Sequence, residues 1–200
     1  MKIAVFVSGR GSNLKAILDS PDLKNLIQVV CVVSNKNDCP AFDIAEKYQI
    51  KTYVAGGKEN QLSYFELAHK LSEHRTDLIV LAGFLKLIPE EFLEAFKNRI
   101  INIHPALLPS FGGKGMYGMR VHQAVFDSSV KISGATVHFV DTNYDTGTII
   151  AQSSVDVSSA ESPDEIAERV LTVEHKLLPS VLKAFAEDRV KKINNRVIIK

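Results

Sequence analysis

Short apolar runs alternate along this chain with stretches in which apolar side chains recur at helical spacing. Five runs, at 3–7, 27–33, 52–54, 78–82 and 100–103, have the length of strands and are apolar at almost every position. A strand without alternation is buried on both faces, which is typical of a parallel sheet covered by helices. The sequence therefore predicts a Rossmann-like, doubly wound α/β fold with a mostly parallel sheet.

Helical stretches separate these runs, at 13–19, 41–48 and 62–73, and Pro89 opens a fourth at a position where proline is tolerated. The pattern changes after residue 103. Residues 104–119 contain two prolines, four glycines and no regular period, which predicts a long loop. Loops of this length are usually functional or disordered, so we expect 110–120 to be mobile until a ligand binds.

The remainder of the chain predicts a C-terminal antiparallel extension. Strands are expected at 131–140 and 148–157, and a helix from Pro163 to about residue 186. Two asparagines then separate the last two apolar runs, which indicates a terminal hairpin. No linker or repeat interrupts the chain, so we expect a single domain, 1–200.

Charge and cysteine content limit the classes of partner. Lysine and arginine number 24 against 23 acids, so no strong field favours nucleic acid or a membrane surface. Two cysteines without a metal-binding pattern suggest neither a disulfide framework nor a metal site. The first residues lack the long apolar core of an export signal, and we therefore expect a cytoplasmic protein.

A glycine-flanked segment, Ser8-Gly9-Arg10-Gly11-Ser12-Asn13, lies between the first strand and the first helix. Glycines let the backbone approach a ligand closely, and the free amides of a helix start bind phosphate. The spacing matches neither the dinucleotide fingerprint nor the Walker loop. An ordinary strand–helix turn would look the same, so this segment by itself leaves both readings open.

Asn102 and His104 stand at the end of the fifth apolar run, where open α/β sheets bind their ligands. They are two residues apart, so an extended strand projects both side chains to the same face. An amide that donates to a developing oxyanion, beside an imidazole that handles a proton, suits acyl transfer. A capped strand end with a satisfied histidine is the alternative.

A turn-rich segment at 141–147 follows the strand that contains His138. Asp145 in this turn could reach a nearby histidine, orient it and raise its pKa, provided that burial does not cancel the effect. Aspartates in turns also commonly hold the backbone, which is the simpler reading for Asp141. For His138 a structural role is expected.

Taken together, four motifs resemble the folate-dependent formyltransferase family, and within it the enzymes that formylate glycinamide ribonucleotide. The motifs are V-x-x-S-G-x-G-S-N-L at 5–14, L-A-G-F-L-K-L-I at 81–88, I-N-I-H-P-A-L-L-P at 101–109 and V-H-F-V-x-x-x-x-D-x-G at 137–147. The resemblance implies transfer of a formyl group from 10-formyltetrahydrofolate to the amine of that ribonucleotide, a step of purine (IMP) synthesis, without a metal. For the oligomeric state, both a monomer and a homodimer are compatible with the resemblance.

The resemblance also implies roles for individual residues. Asn102 and His104 would flank the formyl carbon, with Asp145 supporting the histidine. The remaining residues would bind the two substrates. The ribonucleotide would be bound by Gly11, Ser12, Asn13 and Glu174. The folate would be bound by Leu85, Lys86, Leu87 and Ile88, together with Asn102. Lys58 is a candidate for the folate tail, and His122 corresponds only approximately to a family histidine that follows the long loop.

Three alternatives share parts of this pattern. Methionyl-tRNA formyltransferase and formyltetrahydrofolate deformylase carry the same Asn-His-Asp set. The tRNA enzyme has an additional C-terminal domain and needs a basic surface to bind tRNA, and the deformylase has an additional N-terminal domain. We therefore expect neither. A non-catalytic phosphate- or folate-binding module is the third, and the complete set of Asn102, His104 and Asp145 argues against it.

Overall fold

The computed structural model describes residues 1–200 and divides them into two compact units. The first is Met1–Asn102 and the second is Ile103–Lys200, so the boundary falls within one strand. The expectation of one domain over 1–200 stays a prediction.

The first unit alternates strands and helices. Its strands are β1 Lys2–Phe6, β2 Gln28–Ser34, β3 Lys51–Val54, β4 Leu78–Leu81 and β5 Ile100–His104, the last of which ends in the second unit. Its helices are α1 Ser12–Asp19, α2 Ala41–Lys47, α3 Tyr64–Glu73 and α4 Glu90–Ala95, with a short 3-10 helix at Pro21–Leu23. Ser63 begins α3 with a reciprocal capping box to Glu66, which satisfies two backbone donors of the helix start.

The main sheet has seven strands in the order β3-β2-β1-β4-β5-β6-β7. Pairings from β3 through β5 are parallel. Every residue of β4 is buried, as the uninterrupted apolar run predicts for a strand covered on both faces. The strand order reverses between β1 and β4, and such a switch point is where doubly wound sheets bind ligands.

Besides the end of β5, the second unit contains two helices and four strands. The helices are α5 Met119–Asp127 and α6 Pro163–Ala186. The strands are β6 Ile132–Phe139, β7 Ile149–Asp156, β8 Val190–Ile193 and β9 Arg196–Ile199. β6 pairs with β7, and β8 with β9 in a separate two-stranded sheet. Ser162 caps α6 by accepting from the Glu165 amide at 3.3 Å, and Pro163 occupies its first turn.

The α/β fold class, the mostly parallel sheet and the C-terminal antiparallel extension are thereby confirmed. Helix α5 begins at Met119, at the end of the predicted loop. No helix, α6 included, combines the length and apolar character that a membrane span requires.

Candidate active site

The end of β5 carries two of the predicted site residues. Asn102 is half-buried, and His104 is only 3% exposed. The segment after His104 is held by Thr136 of β6, whose hydroxyl donates to the Ala106 carbonyl at 2.7 Å and accepts from the Leu108 amide at 3.0 Å. Thr136 therefore fixes the chain directly beyond the histidine.

The turn between β6 and β7 presents Asp145. Asp141 holds this turn by accepting from the Asn143 amide at 3.1 Å and from the Thr146 hydroxyl at 2.8 Å, so its structural reading is confirmed. Asp145 itself adopts a left-handed backbone conformation, φ 58. At Gly147 a Cβ would lie 1.8 Å from the Phe139 carbonyl oxygen, and only glycine fits that close approach.

The Asp145 carboxylate lies between two buried imidazole rings. Its Oδ2 is 3.5 Å from Nδ1 of His104, and its Oδ1 is 3.6 Å from Nε2 of His138. The Gly113 amide donates to Oδ2 at 2.9 Å. The structure thus brings His104 and Asp145 together as predicted, and adds His138 and the long loop to the same cluster.

Burial and neighbouring charges act in opposite directions on these groups. Burial raises the pKa of Asp145, but His138, His104 and the Gly113 amide together outweigh it and leave the carboxyl below its ordinary pKa. Burial lowers the pKa of His104, and this effect exceeds the opposing influence of Asp145 and the Phe111 carbonyl. Asp145 raises the pKa of His104 as expected, but burial more than cancels this effect, so the condition attached to that expectation is not met.

Both ring nitrogens of His104 face protein groups. Nε2 lies 2.8 Å from the Phe111 carbonyl oxygen, and because a carbonyl only accepts, Nε2 carries the proton and donates. Phe111 adopts a left-handed conformation, φ 55, that a bulky residue rarely takes. In this arrangement the loop occupies the nitrogen that a substrate would use.

His138 is the residue that sequence reasoning missed in this cluster. Its Nδ1 donates to the Phe139 carbonyl at 2.7 Å, which directs Nε2 toward Asp145. The sequence feature that could have indicated His138 is the V-H-F-V motif, which lies at the end of β6, directly before the turn that carries Asp145. Alternation along β6 places His138 on the same face as Thr136, which contacts the segment after His104.

His122 lies buried on α5, and its Nδ1 has no hydrogen-bond partner. Burial lowers its pKa, and the charge of a protonated His104 lowers it further. Glu174 is buried on α6. Lys58, the candidate for the folate tail, is exposed.

The predicted substrate loops of the first unit follow β1 and β4. Gly11 begins α1 with φ 76, and a Cβ there would lie 2.7 Å from the Ala41 Cβ, so the turn requires glycine. After β4, Leu85 and Leu87 are 46% and 47% exposed, whereas Ile88 is buried. The Leu85 amide donates to the Ser8 hydroxyl, so that backbone group is already engaged by the protein.

No group of three or more His, Cys, Asp or Glu residues is arranged to hold a metal ion. The site offers hydrogen-bond donors, one carboxylate and two imidazoles. These groups can orient a carbonyl, stabilise an oxyanion and relay a proton.

Known proteins resemble this chain in both sequence and fold. A family model described as formyl transferase matches residues 1–182, and the chain belongs to that family. More particularly, it is 47% identical over 195 residues to the chloroplastic phosphoribosylglycinamide formyltransferase of Arabidopsis thaliana, covering 95% of this chain and 67% of that relative. It is 35% identical over 199 residues to phosphoribosylglycinamide formyltransferase of Escherichia coli (strain K12), covering 98% and 92%. A solved phosphoribosylglycinamide formyltransferase from Anaplasma phagocytophilum superposes with a TM-score of 0.90 at 35% identity, covering 100% of this chain and 94% of that one.

Proposed function

We propose that this chain transfers the formyl group of 10-formyltetrahydrofolate to the amine of glycinamide ribonucleotide, giving formylglycinamide ribonucleotide and tetrahydrofolate. The chain is thus a folate-dependent transferase of purine biosynthesis. The observation that carries the proposal is the buried Asp145 carboxylate beside His104, in a chain whose formyl transferase match spans 1–182.

The side chains of the site suit distinct steps of this transfer. The amine attacks the formyl carbon, and the Asn102 amide donates to the oxyanion that forms. His104, kept neutral at physiological pH by burial, accepts the amine proton and returns it to the folate nitrogen as the carbon–nitrogen bond breaks. Asp145, ionised throughout, stabilises the imidazolium between these two steps.

Proton exchange with a substrate requires a free nitrogen on His104. Asp145 faces Nδ1, so Nε2 must leave the Phe111 carbonyl when the substrates bind, and the ring proton must move from Nε2 to Nδ1, where it donates to Asp145. The left-handed conformation of Phe111 supports such a change, because strained residues often mark segments that switch. Movement of the loop would expose Nε2 to the reaction.

The proposed binding residues follow from the same family relationship. Gly11, Ser12 and Asn13 bind the ribonucleotide phosphate at the start of α1, and Glu174 binds its ribose. Leu85, Lys86, Leu87 and Ile88 line the pterin pocket, with Asn102 close to the formyl group. The half-exposed side chains of Leu85 and Leu87 support an apolar ligand surface in this loop.

Formyl transfer measured with both substrates tests the function, and Asn102→Ala tests the mechanism. Loss of one oxyanion donor should lower kcat by roughly a hundredfold or more and change the KM values much less. Asn25→Ala, at an exposed turn position before β2, is the matched control and should keep full activity. Equal losses of binding and rate in Asn102→Ala would make Asn102 a substrate-holding residue instead.

We further propose that the chain works in the cytoplasm as one domain, 1–200, without nucleic acid and as a monomer or homodimer. Its near-neutral charge supports small-molecule partners over nucleic acid. Sedimentation at several protein concentrations and fractionation of the source cells test these points. A particle larger than a dimer, or recovery in an organelle, would contradict them.

A further inference from the structure

Ser8 lies two residues beyond the end of β1, at the switch point of the sheet, and is only 2% exposed. Backbone hydrogen bonds continue past the strand on both sides of it. The Val7 amide donates to the Val33 carbonyl at 2.8 Å, and the Ser8 amide donates to the Gly83 carbonyl at 3.0 Å. The chain after β1 is therefore held against β2 on one side and against the end of β4 on the other.

The backbone hydrogen bonds on the β4 side end at Gly83, where the chain turns with φ 76. The next amide on that side, at Leu85, reaches the Ser8 side chain and donates to its hydroxyl at 3.0 Å. The hydroxyl in turn donates to Oδ1 of Asn35, the residue after β2, at 2.6 Å. One serine side chain thus joins the loops that follow β1, β2 and β4.

Two of these three loops, those after β1 and β4, have proposed ligands, and the two ligands differ. Residues 8–13 form the ribonucleotide loop, and residues 82–88 form the folate loop. The Ser8 hydroxyl has one proton, which it gives to Asn35, and it accepts from Leu85, so its bonding capacity is largely taken up by protein groups. Its buried position and these partners suit it to hold the two loops in fixed register.

We propose that Ser8 is a positioning residue that couples the folate loop to the ribonucleotide loop, an inference that rests on the proposed function. Replacing the hydroxyl by hydrogen leaves the partly buried Leu85 amide and the Asn35 oxygen without this partner. The folate loop then samples more conformations, and folate must order it on binding. Each ligand also loses part of its influence on the affinity of the other.

Ser8→Ala should raise the KM for 10-formyltetrahydrofolate about tenfold and change kcat by less than about threefold, because the loss of the partly buried Leu85 hydrogen bond acts on the order of the folate loop and hence on binding. Amide hydrogen exchange gives a direct readout. The Leu85 amide should exchange at least about tenfold faster, while the Ala82 amide, which donates to the Phe6 carbonyl, keeps its rate. Ser72→Ala is the matched control, since the Ser72 hydroxyl donates to the Ala68 carbonyl of its own helix α3 and lies on the exposed face.

Asn35 provides a second pair of variants should Ser8→Ala fail to fold. Asn35→Asp retains an acceptor for the Ser8 hydroxyl and should preserve Leu85 protection, whereas Asn35→Ala should reduce it. Unchanged exchange at Leu85 in Ser8→Ala, or in Asn35→Ala when Ser8→Ala is unfolded, overturns the proposal. Wild-type folate KM in an active Ser8→Ala protein also overturns it. Absence of formyl transfer in the wild type would refute the proposed function and leave the exchange result to decide the loop contact.

Discussion

Asp145 lies between His104 and His138, and its negative charge opposes the effect of burial on the pKa of His104. Burial lowers the pKa of His104 more than the carboxylate raises it. At neutral pH the ring is therefore uncharged and is suited to accept a proton before it donates one. In the proposed mechanism the carboxylate stabilises a charge on His104 that appears only during the reaction.

Replacement of the Asp145 carboxylate should lower both the pKa of His104 and the rate of formyl transfer. Asp145→Asn removes an influence that raises the pKa of His104, so the histidine should titrate at still lower pH and the rate should fall strongly. Ribonucleotide binding should persist. NMR titration of the histidines, together with turnover against pH, measures both effects. Asp156→Asn, an exposed carboxylate on β7, is the control.

An identical His104 titration in wild type and Asp145→Asn would contradict the electrostatic role. If the rate nonetheless fell, Asp145 would act by orienting the ring. If the rate also stayed, Asp145 would be a turn residue only.

At the scale of elements, the turn from β1 into α1 depends on one of its two glycines. Gly11→Ala places a side chain in the left-handed region and within 2.7 Å of the Ala41 Cβ, so we expect a loss of roughly 1 kcal/mol or more in unfolding free energy and weaker ribonucleotide binding. Gly9→Ala meets no atom within 4 Å and should leave stability unchanged. Thermal unfolding of the pair measures the difference. Equal melting temperatures would contradict the conformational requirement.

The long loop is the second element with a testable property. The Gly113 amide and the Phe111 carbonyl attach its first part to Asp145 and His104, while Lys114 beyond them is exposed. We expect trypsin to cleave at Lys114 in the free protein and much more slowly with both substrates bound. Arg75, exposed between α3 and β4, supplies a reference cleavage site. Equal cleavage at Lys114 in both states would contradict ligand-dependent ordering.

For the whole molecule, buried histidines link stability to pH. Burial lowers the pKa of His104, His122 and His175 below the ordinary value. Below about pH 6.5 the unfolded chain binds protons that the folded protein still excludes, so stability falls as the pH drops through this value. Asp145, whose pKa is lowered, loses its contribution only at much lower pH.

Melting temperatures at pH 7.5 and 5.5 should therefore differ, with the lower value at pH 5.5. His122→Gln should reduce that difference, because it removes one group that takes up a proton on unfolding. His69→Gln, at an exposed position on α3, serves as the control. A melting temperature that does not fall between these pH values would contradict the linkage.

The sequence predicted every strand and every α-helix except α5, and it provided the candidate residues of the site. Uninterrupted apolar runs predicted strands covered on both faces, and the two-residue spacing of Asn102 and His104 predicted a shared face of β5. These signals are local, because periodicity and chain turns are set by residues that are neighbours in sequence.

The protonation and hydrogen bonding of the site depend on tertiary packing. The net pKa of His104 depends on how completely packing removes water, and the roles of His138 and the Phe111 carbonyl depend on where a turn and a loop come to lie. Ser8 and Leu85 are 77 residues apart, and no local pattern indicates that they bond. Desolvation and long-range hydrogen bonds arise only when distant segments pack together, which is why the sequence predicted the residues and the fold set their chemistry.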